Sequence, residues 1–62
     1  MTREDARKTM LRGWKMTHKN FTPEEWLEIR ANGRVYTDDG YHFTREFDTT
    51  PMFADGWSIY RG

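Results

Sequence analysis

The sequence predicts an α+β domain, one N-terminal helix packed on a twisted antiparallel β-meander of four to five short strands. Three observations carry this expectation. A capped helix signature occupies residues 2–12, short apolar–polar alternations recur at about 14–18, 34–37 and 57–60, and two glycine turns, Asn32-Gly33 and Asp38-Asp39-Gly40, separate the central strands. At 62 residues the chain makes one domain, 1–62. A chain of this size buries only about 60% of the surface it exposes when unfolded.

The helix comes first. Thr2 fits the N-cap, Glu4 and Asp5 stand in the first turn, and Arg7, Lys8 and Arg12 stand in the last turns, each sign where the helix dipole favours it. Ala6 and Met10, four apart with Leu11 beside them, make a thin apolar stripe, and Gly13 is placed to end the helix in the left-handed region. Trp14 to His18 then alternates, with Trp14, Met16 and His18 expected on one face of a strand.

Phe21-Thr22-Pro23-Glu24-Glu25-Trp26 carries a capping box, Thr22 with Glu25, and an apolar staple, Phe21 with Trp26. The following residues, 26–31, read either as a helix ended by Asn32-Gly33 or as a strand turning through a type I′ hairpin there. One capped turn leading into the hairpin is preferred, because Leu27 and Ile29 alternate with Glu28 and Arg30 and residues 34–37 are rich in strand formers. A further short strand is expected at 41–44, after the Asp38-Asp39-Gly40 turn. Arg45 to Asp55 breaks any period at Asp48-Thr49-Thr50-Pro51 and reads as a long irregular loop. Trp57 to Tyr60 closes the sheet, with Trp57 and Ile59 on one face.

The source of cohesion is unusual. Leu, Ile, Val and Phe supply nine of 62 residues, about 15%, below the roughly 20% that accompanies disorder. Net charge is zero, however, and there are ten aromatic residues, each able to bury roughly 150–250 Å². An aromatic-centred core follows, and a small core without staples favours self-association. A homo-oligomer is therefore expected.

The composition also excludes functions. Ten Lys and Arg balance ten Asp and Glu, so neither an acidic nucleic-acid mimic nor a generally basic nucleic-acid binder is indicated. No apolar run approaches the 18 or so residues of a membrane span and no signal-peptide core is present, so a soluble, cytoplasmic protein with no membrane partner is expected. The absence of cysteine removes thiolate chemistry, disulfides and Cys-based zinc sites. Charge is nonetheless uneven: residues 1–20 hold six basic and two acidic residues, a net of +4, and residues 21–62 hold four basic and eight acidic, a net of −4. Attraction between the helix and the rest of the domain, or between copies, is the simpler account. A phosphate-binding basic face is the other, and no Gly-rich phosphate loop accompanies it.

Catalysis finds little support. Ser58 is not in a nucleophile elbow. His18 and His42 sit beside threonines and aromatics, where a surface or half-buried strand histidine is the simpler reading than a general base. Their spacing matches no metal-ligand pattern, and Asp38-Asp39-Gly40 is a turn rather than a calcium loop. No enzyme, cofactor or metal is expected. Binding finds more: Trp14, Phe21, Trp26, Tyr41 and Tyr60 exceed what so small a core needs, and rings with nearby cations hold bases and phosphates.

The order of these motifs is familiar. A short helix ending in glycine, the segment Gly13-Trp14-Lys15-Met16-Thr17-His18, an aromatic, a meander with a D-G turn and the closing Ala54-Asp55-Gly56-Trp57-Ser58-Ile59 resemble small phage and prophage proteins. The wider pattern is similar to the phage Thoeris anti-defence family of the second type. That resemblance implies a helix with a twisted antiparallel sheet, a homo-oligomer, and sequestration of a cyclic or NAD-derived nucleotide signal in the host cytoplasm, without turnover. His18 and Phe21 stand near the places where members carry Arg and then Trp. Phe21 as a stacking group and Asp55 as a polar contact are the positions the resemblance carries across.

The candidate site expected for such a ligand has Phe21 and Trp14 stacking, Lys15, Arg34 and His18 meeting phosphate or ribose, and Asp55 as the polar contact, in a pocket between subunits. The alternative is a small protein-binding inhibitor or accessory factor acting on a host protein such as a defence nuclease, its exposed Trp and Tyr serving as hot spots. Nucleic-acid binding through the basic first twenty residues ranks third.

Overall fold

Thr2 caps the first helix, α1 (Arg3–Leu11), accepting from the Asp5 amide at 3.2 Å. The computed structural model describes all of residues 1–62. At the helix's other end the Gly13 amide bonds the Met10 carbonyl, the Trp14 amide reaches the Thr9 carbonyl, and Gly13 has φ +99°, a Schellman closure. This closure uses Trp14, and the first strand, β1 (Met16–His18), starts two residues later than expected. Trp14 therefore does not share a face with Met16 and His18. They are buried, and Trp14 is 51% exposed.

The turn after β1 forms the reach-back half of the expected box, the Thr22 amide donating to Glu25 Oε1 at 2.7 Å. One turn is all that forms, and residues 27–29 are strand β2 (Leu27–Ile29), which settles the helix-or-strand alternative. Asn32-Gly33 does not make a type I′ turn. That turn needs positive φ at both central residues, and Asn32 has none. Instead Gly33 donates to Arg30, Arg30 donates to Arg34, and Gly33 alone is left-handed at φ +79°. This is a type I turn followed by a glycine bulge, leading into β3 (Val35–Thr37). The Asp38-Asp39-Gly40 hairpin repeats it: Gly40 donates to Thr37, and Thr37 to Tyr41.

The expected strand at 41–44 shrinks to a single bridge between Tyr36 and His42. The Thr44 hydroxyl accepts from the Val35 amide at 2.9 Å, filling the next ladder position, and the chain turns there into α2 (Thr44–Thr49). Residues 45–55 are accordingly not an irregular loop. They form α2 and a 3-10 helix (Pro51–Ala54) that place Phe47 and Phe53 in the core. Helix α2 is held from outside itself. Arg3 donates through Nε to Phe47 O and through Nη2 to Thr50 O, at 2.8 and 2.6 Å, and Arg7 pairs with Asp48 while its guanidinium lies over the Phe47 ring. Cations at a helix C-terminus are where the dipole favours them, and two of the six basic residues of the first segment, Arg3 and Arg7, act here.

Strand β4 (Trp57–Ile59) completes a four-stranded sheet in the order β3-β2-β1-β4, antiparallel throughout. Met16 stands opposite Leu27 on one side and Ile59 on the other, and His18 stands opposite Trp57. The α+β class is as expected. One face of the sheet, carrying Met16, Leu27, Val35 and Trp57, packs with Ala6 and Met10 of α1 and with Phe47 and Phe53. Its other face has no helix on it. No helix of the chain is long and apolar enough to cross a membrane.

Candidate functional site

Alternation decides what the uncovered face carries. With Met16, Leu27, Val35 and Trp57 turned inward, Lys15, Thr17, Trp26, Glu28, Tyr36 and Ser58 fall on the open side, and Tyr60 follows Ser58. Rings and cations pair there. Lys15 Nζ lies 4.8 Å from the Trp26 ring centre, and the Tyr60 ring is 6.1 Å from Trp26. Toward β3, the Arg30 guanidinium lies 4.2 Å from the Tyr36 ring centre and pairs with Glu28 at 3.1 Å. Asn32 bonds the Tyr36 hydroxyl at 2.8 Å, and His42 adds its ring at 5.5 Å. Lys15 makes none of the chain's ion pairs, so its charge is available.

A second feature lies at the end of the sheet. A cleft of about 130 Å³ opens between the Phe21–Leu27 connection and the Asp38–Gly40 turn. Four rings wall it: Phe21, Trp26, Tyr41 and Phe43. Glu25, Asp38 and Asp39 stand at its rim, and no basic residue lines it. Ligand pockets run to roughly 300–1,000 Å³, so the cleft accommodates a side chain rather than a whole nucleotide. Its three carboxylates also repel phosphate.

The six residues expected at the site do not converge. Phe21 and His18 alone pack ring to ring, with centres 5.7 Å apart. Phe21 lines the cleft. His18 is not the surface or half-buried histidine of the simpler reading. It is 3% exposed, ringed by Phe21, Phe53 and Trp57. Its Nδ1 accepts from the Asn20 amide at 3.1 Å, which leaves Nε2 to carry the proton donated to Met52 O and Asp55 O at 3.1 and 2.7 Å. Both nitrogens are thus committed to holding the 52–55 segment against β1, and neither is free to act as a base. Lys15 sits on the open face, Trp14 is exposed at the end of α1, and Arg34 is exposed at the β2–β3 hairpin. Asp55 is exposed and accepts from the Gly56 amide at 2.8 Å.

Trp26, Tyr36 and Tyr60 make the open face, and the site expected from the sequence includes none of them. The signal for Trp26 was present in the alternation: once Leu27 is assigned to the core, its neighbour faces out. No known protein family, curated protein or solved structure matches the chain.

Proposed function

We propose that the protein is a non-catalytic binding module that captures a nucleotide-derived anion on the open face of its sheet, as a phage-type counter-defence protein would sequester a signalling molecule. The observation that carries this reading is the unpaired Lys15 ammonium over Trp26 with Tyr60 beside it. Rings of this kind stack a base, and the cation neutralises a phosphate.

Magnitude sets the assembly. Stacking contributes about 1–3 kcal/mol per base, so one base on one subunit's face gives at best about the 4 kcal/mol of a millimolar complex once a phosphate contact is added. Micromolar capture needs about twice that, supplied most simply by the same face of a second copy closing on the ligand. The homo-oligomer belongs to this proposal for that reason.

The test is a melting-temperature and amide-shift titration against cyclic and NAD-derived nucleotides. Binding is expected to raise the melting temperature by several degrees, and Trp26→Ala and Lys15→Glu are expected to remove the gain while leaving the fold intact. A folded protein that shows no shift across the panel overturns the reading. A second reading, an inhibitor of a host protein, is favoured by Leu11, Trp14 and Tyr41, which are 63%, 51% and 72% exposed. Exposed Trp and Tyr, as at Trp14 and Tyr41, serve as hot spots. A partner that co-purifies at stoichiometric amounts and is lost on Trp14→Ala or Tyr41→Ala, with nucleotides ignored, would establish it instead.

A further inference from the structure

We infer that the cleft beneath the Asp38–Gly40 hairpin receives a single cationic side chain, lysine or arginine, presented by a partner protein. Every polar group that could set its sign points the same way. Glu25, Asp38 and Asp39 line the rim, and no basic residue lines the cleft. None of these carboxylates takes part in any of the chain's four ion pairs. The nearest arginine, Arg30, has its Nη2 3.8 Å from where a Gly40 Cβ would stand, but it pairs with Glu28 and covers the Tyr36 ring rather than lining the cleft.

The walls agree with the rim. Phe21, Trp26 and Tyr41 are among the walls, and aromatic rings attract an ammonium or guanidinium, as the Lys15 ammonium over Trp26 shows. Leu27 and Phe43 give an apolar floor for a methylene stem, the way long basic side chains bury their stems and keep the charged head near water. The space, about 130 Å³, suits one such side chain. The carboxylates disfavour phosphate, so the cleft takes a ligand of opposite charge from the open face, and although Trp26 borders both sites, either reading can fail alone.

The experiment titrates the folded protein with a short lysine-containing peptide and with the same peptide carrying norleucine, which keeps the stem and removes the charge. Amide resonances of Asp38 to Tyr41 and the Trp26 indole report. The lysine peptide is expected to shift them saturably, and the norleucine peptide is expected to bind at least ten-fold more weakly. The double variant Asp38→Asn, Asp39→Asn keeps the turn chemistry and is expected to weaken the lysine peptide about ten-fold and flatten its salt dependence. Tyr41→Ala, exposed and outside the core, is expected to weaken it comparably with the core resonances unmoved. Equal binding of both peptides, or no saturable shift, overturns the inference. Shifts of the same residues with protein concentration alone would also overturn it, by making a second copy of the chain the occupant.

Discussion

Replacing Gly56 by alanine tests how tightly the buried histidine locks the sheet to the 3-10 segment. Gly56 has φ +93°, and a Cβ there would lie 2.9 Å from His18 Nε2 and 3.1 Å from two Lys19 side-chain carbons. The Lys19 chain is flexible and gives way. His18 cannot, because the same Nε2 is tied to Met52 O and Asp55 O, and Nδ1 to the Asn20 amide. The left-handed backbone alone costs an alanine roughly 1–2 kcal/mol. Displacing the imidazole adds roughly 1–3 kcal/mol for a buried polar group left unsatisfied. Gly33, at φ +79° with no atom within 4 Å of where its Cβ would stand, supplies the control, since Gly33→Ala should cost the backbone part alone. The assay is urea unfolding followed by tryptophan fluorescence. Small domains have slopes of about 1 kcal/mol per molar urea, so Gly33→Ala should lower the midpoint by roughly 1–2 M and Gly56→Ala by roughly 2–5 M. A domain this size has only about 3–9 kcal/mol in total, so the second variant is expected to be partly unfolded without denaturant. Equal midpoints for the two variants would refute the account of His18 as an immovable tie.

Three further outcomes follow from the same contacts. Arg3→Ala removes two charge-assisted bonds to the carbonyls that end α2; a loss of roughly 1–3 kcal/mol is expected, with Arg3→Lys recovering only part because a point charge does not reproduce the fork, and urea midpoints read both. Thr44→Val leaves the Val35 amide without its acceptor and should cost roughly 1–2 kcal/mol, whereas Thr44→Ser should be near neutral; faster amide exchange at Val35 in the valine variant alone checks the assignment. Trp14→Ala should change stability by less than about 0.5 kcal/mol, because the side chain lies outside the core, and thermal unfolding of the variant measures it.

What the sequence disclosed and what it hid divide along one line, the range of the interaction. α1 was readable because its cap, its charges and its Schellman glycine all act within a few residues of each other. The alternation at Leu27–Ile29 and at Trp57–Ile59 was readable for the same reason. Helix α2 was not, because Arg3 and Arg7, more than forty positions away in sequence, hold its carboxyl end, and its own six residues carry no side-chain cap. The strand expected at 41–44 was lost to one hydroxyl, Thr44, occupying a ladder position that local pattern had assigned to backbone. The candidate site was less legible than the fold. Phe21 was named through the resemblance, which makes it a stacking group, but whether Trp26 faced the core or solvent depended on first deciding that residues 26–31 form a strand. His18 looked available for a ligand because nothing nearby in sequence indicates that Met52 and Asp55 return to meet its ring.

The ten aromatics sort by chemistry, and the sorting bears on function. All four phenylalanines and Trp57 lie in the core or pack against it, and the Trp57 indole donates to Phe53 O at 2.8 Å. Trp14, Trp26, Tyr36, Tyr41 and Tyr60 lie outside it. A ring with a hydroxyl or N–H costs free energy to bury unless that group finds a partner, and the two buried rings that find one are Trp57, on Phe53 O, and His18, on Met52 O and Asp55 O. The remaining five are therefore not fillers in a chain short of aliphatics. Three of them, with Lys15 and Arg30, cover the open sheet face, and Trp26 also joins Tyr41 in the cleft. Solubility alone would favour serine or lysine at these positions. The same rings placed where cations meet them on one side and carboxylates on the other make Trp26 the residue shared by both proposed sites. Its replacement by phenylalanine, which keeps a stacking face and removes the N–H, should spare both, while alanine should weaken both; if phenylalanine fails at either site as badly as alanine, the indole N–H rather than the ring face is what that site uses.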